Sequence, residues 1–267
     1  MVLLDKGNYL GLQDYSFNAN ILSAAVTHYP DSLNAGCWHA HASFVMSMVL
    51  KGGNLEKRKN KEIQRVSGVV TYLDAGTLHQ NDCIVAGSRH VHLEVSTEFM
   101  KQYGVSISAE TLEKHDPVQA RLLLLKIYKE LLLLDTETRL NIESAVLELC
   151  QPFRIKTMNC AVPGWVSKIK EVLYAKWNET ITLNELGLIA GLHPVNLSAY
   201  FPRYFGCTIG DYKRKIKINE AVKLLRRNEL NLTQISYECG FADQSHFTKV
   251  FTELTGWPPK KLRSHLK

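Results

Sequence analysis

No stretch of the 267 residues approaches the ~20 apolar positions that a membrane-spanning helix needs. The opening Met1-Val2-Leu3-Leu4-Asp5-Lys6 lacks a basic segment, an apolar core and a small-residue cleavage site. No export signal is read there, so a cytoplasmic location is expected and a membrane partner is not. Paired C-x-x-C spacing is also missing. The six cysteines (Cys37, Cys83, Cys150, Cys160, Cys207 and Cys239) are scattered, which argues against a cysteine zinc site or a disulfide framework. Reduced, mostly buried thiols are expected instead. Low-complexity segments are absent too. What remains, 45% hydrophobic and 22% charged, is the make-up of an ordinary globular protein long enough for two domains.

The net charge of +6 is unevenly divided. Residues 160–267 carry 16 Lys+Arg against 9 Asp+Glu, and residues 1–159 carry 16 against 17. All the excess positive charge therefore lies in one half, as a polyanion-facing half would have it. Patterning divides at a nearby place. Residues 1–96 read as short β-type runs, among them 44–50, 69–73 and 90–95, broken at Gly52-Gly53, Gly76 and Gly87-Ser88. This pattern suggests an all-β sandwich or small barrel. From about Glu98 the period becomes helical. Asp116-Pro117 supplies a cap and a first-turn proline for a leucine-rich helix over residues 120–134, and Asp135 or Thr136 can cap a second one running to about Cys150. These helices either pack on the β domain or form a dimer interface, so residues 97–150 are a candidate dimerisation segment. Residues 151–162 read as a linker, and residues 163–267 as helical.

Within the last segment, Thr182-x-x-Glu185 is a capping box whose helix should stop at Gly191. A second helix begins near Pro194, with Leu197 and Phe201 inward at i, i+4 spacing. The pattern then recurs: residues 232–238 end at Gly240, and residues 243–251 place Phe247 and Phe251 inward. An offset of 50 residues carries Leu197 onto Phe247 and Phe201 onto Phe251. Between the pairs, Thr208-x-x-Asp211 opens a helix over residues 209–227, about 28 Å long at ~1.5 Å per residue. Successive major grooves on one DNA face repeat every ~34 Å. One stiff helix can thus hold two reading helices in adjacent grooves.

The run Glu238-Cys239-Gly240-Phe241-Ala242-Asp243-Gln244-Ser245-His246-Phe247, with Phe251, Gly256, Pro259 and Arg263, resembles the signature of AraC/XylS-type regulators. Leu183, Leu186, Ala190-Gly191-Leu192, Pro194, Leu197-Ser198, Phe201, Gly206, Tyr212, Ala221 and Leu225 match its first half. The resemblance covers about 100 residues and implies sequence-specific binding of double-stranded DNA. It places Val195, Ser198 and Ala199 of the first unit, and Gln244, Ser245, Thr248 and Lys249 of the second, against base edges. Arg203, Lys213, Arg214 and Lys217 become candidates for phosphate contact, which positions without specifying. The capping serine usual to each reading helix is His193 and Ala242 here. Losing such a cap costs about 1 kcal/mol, and Asp243 can substitute in the second unit.

His39-x-His41, followed by Gly68-x5-Asp74-x-Gly76-x-x-His79, resembles the two-part cupin pattern of a small jelly-roll barrel found in many AraC-type sensor domains. The cupin pattern expects Pro at Asp74 and a Glu shortly after the second histidine, where Phe44, Val45 and Met46 stand. The resemblance leaves two roles open. Trp38, His39, His41 and His79 line a pocket for a small organic effector, the preferred reading, or His39, His41 and His79 bind a divalent transition metal. Period two on residues 90–95 puts His90, His92 and Glu94 opposite Val91, Leu93 and Val95. If the valine face fills the core, His90 and His92 point outward. The combined expectation is a cupin-like jelly-roll sensor with flanking helices and a C-terminal all-α pair of helix-turn-helix units. Such a chain would be a homodimeric, non-enzymatic transcription regulator under small-molecule control. The alternatives are a cupin-type metal enzyme fused to a helical domain, or a regulator with no small effector.

Overall fold

The computed structural model describes residues 2–114, 117–154, 162–227 and 229–266. The expected Asp116 cap, Cys160 and most of the expected linker lie outside them. The chain divides into two compact units, one built on Met1–Cys150 and one on Gln151–His265.

The first unit is two facing sheets with helices on one of them. Its strands are β1 (Val2–Leu4), β2 (Leu12–Asn18), β3 (Leu22–Tyr29), β4 (Leu33–Ala35), β5 (His39–His41), β6 (Phe44–Lys51), β7 (Gly53–Arg58), β8 (Lys61–Val66), β9 (Val70–Leu73), β10 (His79–Ile84) and β11 (Ser88–Val95). One sheet runs β1-β5-β10-β7-β8 with β4 also on β10, and the other runs β2-β3-β11-β6-β9. The expected strands over 44–50, 69–73 and 90–95 correspond to β6, β9 and β11.

Register explains how the second sheet is used. Pairing Leu22 with Val95, Ala24 with Leu93 and Val26 with Val91 makes one face wholly apolar, continued by Met46 and Met48 of β6. Helix α3 (Pro117–Leu133) packs on that face and buries Leu122, Leu123, Leu124, Leu125, Ile127 and Leu131. The leucine-rich helix therefore has its partner surface in its own domain. Helix α4 (Thr138–Arg154) is tied to α3 by Gln119–Glu148 and Asn141–Glu130 hydrogen bonds. It begins later than expected because Asp135 and Thr138 build the turn between them, Glu137 N–H and the Thr138 hydroxyl both donating to Asp135 Oδ1. It also continues to Arg154, into the segment expected as linker. Two short helices, α1 (Thr97–Tyr103) and α2 (Ala109–Glu113), precede α3.

The opposite face of the same sheet, turned toward the first sheet, carries Ser23, Thr27, Ser47, Thr71, His90, His92 and Glu94, all buried. The expectation that a buried valine face would send His90 and His92 outward is therefore wrong. With α3 on one side and a second sheet on the other, β11 has no solvent face. His90 is 1% exposed and His92 9%. The region between the sheets is thus lined by polar groups, whose burial is costly unless they are paired.

The second unit is helical: α5 (Gly164–Ala175), α6 (Leu183–Ala190), α7 (Pro194–Phe205), α8 (Ile209–Leu225), α9 (Leu232–Glu238), α10 (Gln244–Thr255) and α11 (Pro259–Leu266). The expected box at Thr182/Glu185 is formed, and an equivalent one at Asn231/Gln234 was not foreseen. Ile169, Leu173, Leu186, Leu197, Phe201, Tyr212 and Ile216 form one buried cluster. Helix α8 has 17 residues, about 26 Å at ~1.5 Å per residue. It buries side chains on several faces (Tyr212, Ile216, Ile218, Ala221, Val222, Leu225), because α7 lies on one flank and α9 and α10 on the other. Among the described residues, five cysteines are free thiols. Cys37 and Cys83 are exposed, contrary to the expectation of mostly buried thiols.

Candidate nucleic-acid interface and inter-sheet site

Helices α6 and α7 form one helix-turn-helix, and α9 and α10 the other. The two inward-facing residues of each second helix, Leu197 and Phe201, then Phe247 and Phe251, are fully buried. This anchoring turns the remaining faces of α7 and α10 outward. Val195 is 66% exposed. Ser198, Ala199, Gln244, Ser245 and Lys249 are also exposed, and Thr248 is half-buried. All the residues expected to read bases thus lie on accessible surface. The N-caps divide as the sequence suggested. His193 caps α7 with no side-chain hydrogen bond, whereas Asp243 accepts from His246 N–H at 2.7 Å. A residue the sequence reading missed is Thr233 on α9, whose hydroxyl lies 2.5 Å from Gln244 Oε1 and orients that amide.

The four candidates for phosphate contact separate. Arg203 is exposed, with its guanidinium 5.4 Å from the Tyr200 ring centroid. Arg214 pairs with Asp211. Lys213 and Lys217 are half-buried: Lys213 Nζ donates to Glu179 O at 3.4 Å and Lys217 Nζ to Gly240 O at 2.7 Å. Burial holds both ammonium groups below the usual lysine range.

Between the sheets of the first unit, His39, His41 and His79 bring one ring nitrogen each to within 4.8 Å of one another, all buried. Residue pairing explains it, because β10 pairs with β5 in register His79 to His39. Backbone carbonyls hold the Nδ1 of two rings, and the third lies beside a carboxylate without a hydrogen bond to it. His39 Nδ1 lies 2.9 Å from Cys37 O, His79 Nδ1 3.1 Å from Thr77 O, and His41 Nδ1 3.1 Å from Glu94 Oε1. Backbone carbonyls only accept, so His39 and His79 carry their proton on Nδ1 and leave the Nε2 lone pair free. Burial depresses both, His39 below the usual histidine range and His79 down to about 3, so both rings are neutral. Neutral imidazoles whose other nitrogen is held by a carbonyl or carboxylate are the usual metal-binding arrangement. The residues present fit a divalent transition metal.

Glu94, fully buried on β11, also accepts from Gly7 N–H at 3.1 Å. It lies beside the Nδ1 of His41 and is not one of the three clustered ligands. Trp38, assigned to the same pocket from sequence, is 38% exposed and is not among the buried groups. A second buried cluster was missed altogether. Arg65 Nη1 lies 3.3 Å from Glu56 Oε2, Arg65 Nη2 donates to Ser47 Oγ at 2.7 Å, and Arg58 pairs with Glu56 at 2.7 Å. Burial pushes the Glu56 carboxyl up, but the two guanidiniums outweigh it and hold it below its usual range. Beside them, burial and Arg65 push His90 well below the ordinary histidine value. His90 Nδ1 and Nε2 and Arg65 Nε have no hydrogen-bond partner among the described residues. Alternating charge at Glu56 and Arg58 is ordinary on a half-exposed strand, so the sequence held no signal for this cluster.

A family model described as "Helix-turn-helix domain" matches residues 187–265. The HTH-type transcriptional regulator GbdR of Pseudomonas aeruginosa is 28% identical over 98 residues, 37% of this chain and 27% of GbdR. The chain thus matches about a quarter of the length of that relative. The probable transcription factor PqrA of Proteus vulgaris is 31% identical over 88 residues, 33% of this chain and 72% of PqrA. The HTH-type transcriptional activator RhaR of Escherichia coli is 39% identical over 67 residues, 25% of this chain and 24% of RhaR. Among solved structures, ToxT from Vibrio cholerae aligns at TM-score 0.39 and 12% identity, covering 93% of this chain and 99% of ToxT. With its duplicated helix-turn-helix and its likeness to PqrA, the chain belongs to the AraC/XylS-type family of transcription regulators.

Proposed function

We propose that this protein is a sequence-specific DNA-binding transcription regulator that lays α7 and α10 in consecutive major grooves of one duplex. The observation that carries the reading is the pair of equivalent anchors, Leu197/Phe201 and Phe247/Phe251. They leave Val195, Ser198, Ala199, Gln244, Ser245, Thr248 and Lys249 to face the bases, with Arg203 and Arg214 near phosphates. Selection of bound sequences from random duplexes tests it. A recovered site should contain two short elements about one helical turn apart, with affinity falling steeply as salt rises. Recovery of no preferred sequence refutes it.

The first unit acts as a sensor in this reading. His39, His41 and His79 would hold a divalent transition metal, with Cys37 O, Thr77 O and Glu94 behind them. Arg65 and His90 would face a small polar effector beside it. Bound metal would supply a Lewis-acid site there. Allosteric control requires that this guest bind two states of the protein with different affinity. Unchanged operator affinity with and without zinc or extracted metabolites would count against it. Exposed Leu133, Leu134 and Leu140 at the α3–α4 hairpin support a homodimer through that end, which sedimentation tests. A cupin-type metal enzyme remains the second reading, favoured only by the histidine cluster. Turnover by the metal-loaded protein would establish it.

A further inference from the structure

Helix α8 carries Lys213 and Lys217 four residues apart, on one face. Both reach backbone carbonyls of other segments. Lys213 Nζ donates to Glu179 O in the turn before α6, at 3.4 Å. Lys217 Nζ donates to Gly240 O in the turn between α9 and α10, at 2.7 Å, and sits 5.5 Å from the centroid of the Phe241 ring. A third bond closes the set, with Asn178 Nδ2 donating to Glu238 O at 3.4 Å. The approach is so close that a Cβ on Gly240, whose φ is +67°, would stand 2.5 Å from Asn178 O and 2.9 Å from Lys217 Nζ.

Three bonds therefore join three elements in a ring: the turn entering the first helix-turn-helix, the connecting helix, and the turn inside the second. A single connecting helix would leave one unit free to swivel against the other through its flexing ends. A ring that links the units directly removes that freedom. We propose that Asn178, Lys213 and Lys217 are positioning residues that lock the two helix-turn-helix units at one relative orientation, and so determine the operator spacing the protein accepts. The proposal rests on the DNA-binding reading above. It assigns the lysines a role other than phosphate contact, and adds a residue, Asn178, that carries no charge.

Two variants of the full chain separate the roles. Lys217→Met keeps the aliphatic stem and removes the ammonium, while Asn178→Ala opens the ring without changing charge. Binding is measured to the selected operator and to duplexes with one base pair inserted or removed between its two elements. Each such change turns one element by about 35° and shifts it by about 3.4 Å. Wild type should discriminate strongly against the altered spacings, and both variants should lose at least half of that discrimination on a logarithmic scale. Their salt dependence should match wild type, whereas loss of one phosphate contact lowers the slope by about 0.9. Residual dipolar couplings of the free, deuterated protein give a readout that needs no DNA. One alignment tensor should fit both units in wild type, and two should be required in the variants. A shared tensor and unchanged spacing preference in both variants would overturn the proposal, and a reduced salt slope for Lys217→Met alone would make that lysine a phosphate contact. A wild type that selects no sequence, while one tensor fits it and two are required in the variants, would sink the DNA reading and leave the lock standing.

Discussion

Replacing Glu94 by Gln tests the inter-sheet site most directly. Glu94 is fully buried, with one carboxylate oxygen 3.1 Å from His41 Nδ1 and the other accepting from Gly7 N–H. Glutamine has the same length and still offers an acceptor to Gly7. It removes the negative charge that lies beside His41, behind a metal on Nε2. Loss of such a partner costs about 10–100-fold in metal affinity, or about 1.4–2.7 kcal/mol. Removing a ligand outright, as in His39→Ala, should cost more. The assay is competition of zinc between the purified full chain and a chromophoric chelator at about pH 7.5, with thermal melts to establish that each variant is folded. His28→Gln serves as the control, since His28 pairs with Asp14 and is not one of the three clustered histidines. Expected are one zinc per chain in wild type and in the control, and weakened binding in Glu94→Gln. A folded Glu94→Gln that binds zinc as wild type does would refute the assigned role of this carboxylate. A wild type that retains no zinc against the weakest chelator would refute the metal site itself.

The first unit should be acid-labile. His79 titrates near 3 in the folded protein because of its burial and near 6.5 when unfolded, so the unfolded chain takes up the proton first. The stability linked to His79 is complete only well above about pH 6.5 and is lost as pH falls toward 3, the loss amounting to about 1.4 kcal/mol by pH 5.5. His39, His90 and His92 shift in the same direction. Urea midpoints at about pH 7.5 and 5.5 check it, and a midpoint that rises on acidification contradicts it. Lys249→Ala should weaken operator binding by about 1–3 kcal/mol and relax preference at one base pair, measured by titration against single-base operator variants. Equal weakening on every sequence would make Lys249 a phosphate contact. Gly240→Ala forces a left-handed φ on a residue with a side chain and crowds Asn178 O. Left-handed strain of about 1–2 kcal/mol comes before any steric cost, so the second unit should melt earlier while the first is unchanged. A melt indistinguishable from wild type would show that the turn can rearrange freely.

The helical half was legible because its signals are local. A capping box, a glycine stop and an i, i+4 apolar pair each act within a few residues, so α6, α9 and the anchors of α7 and α10 could be placed from spacing alone. The duplication by 50 residues added a check that chance composition does not supply. Tertiary structure alone decided which side of α8 is covered, and therefore which carbonyls Lys213 and Lys217 reach. It also decided the fate of β11. Alternation along a strand distinguishes two faces but does not say that a helix covers one and a second sheet the other. His39 and His79 lie forty residues apart and meet only through strand pairing. Glu94 and Arg65 reach the same interior from further strands. Short-range patterning specified the parts that read outward, while the inter-sheet site is made of long-range pairings whose register no single segment encodes.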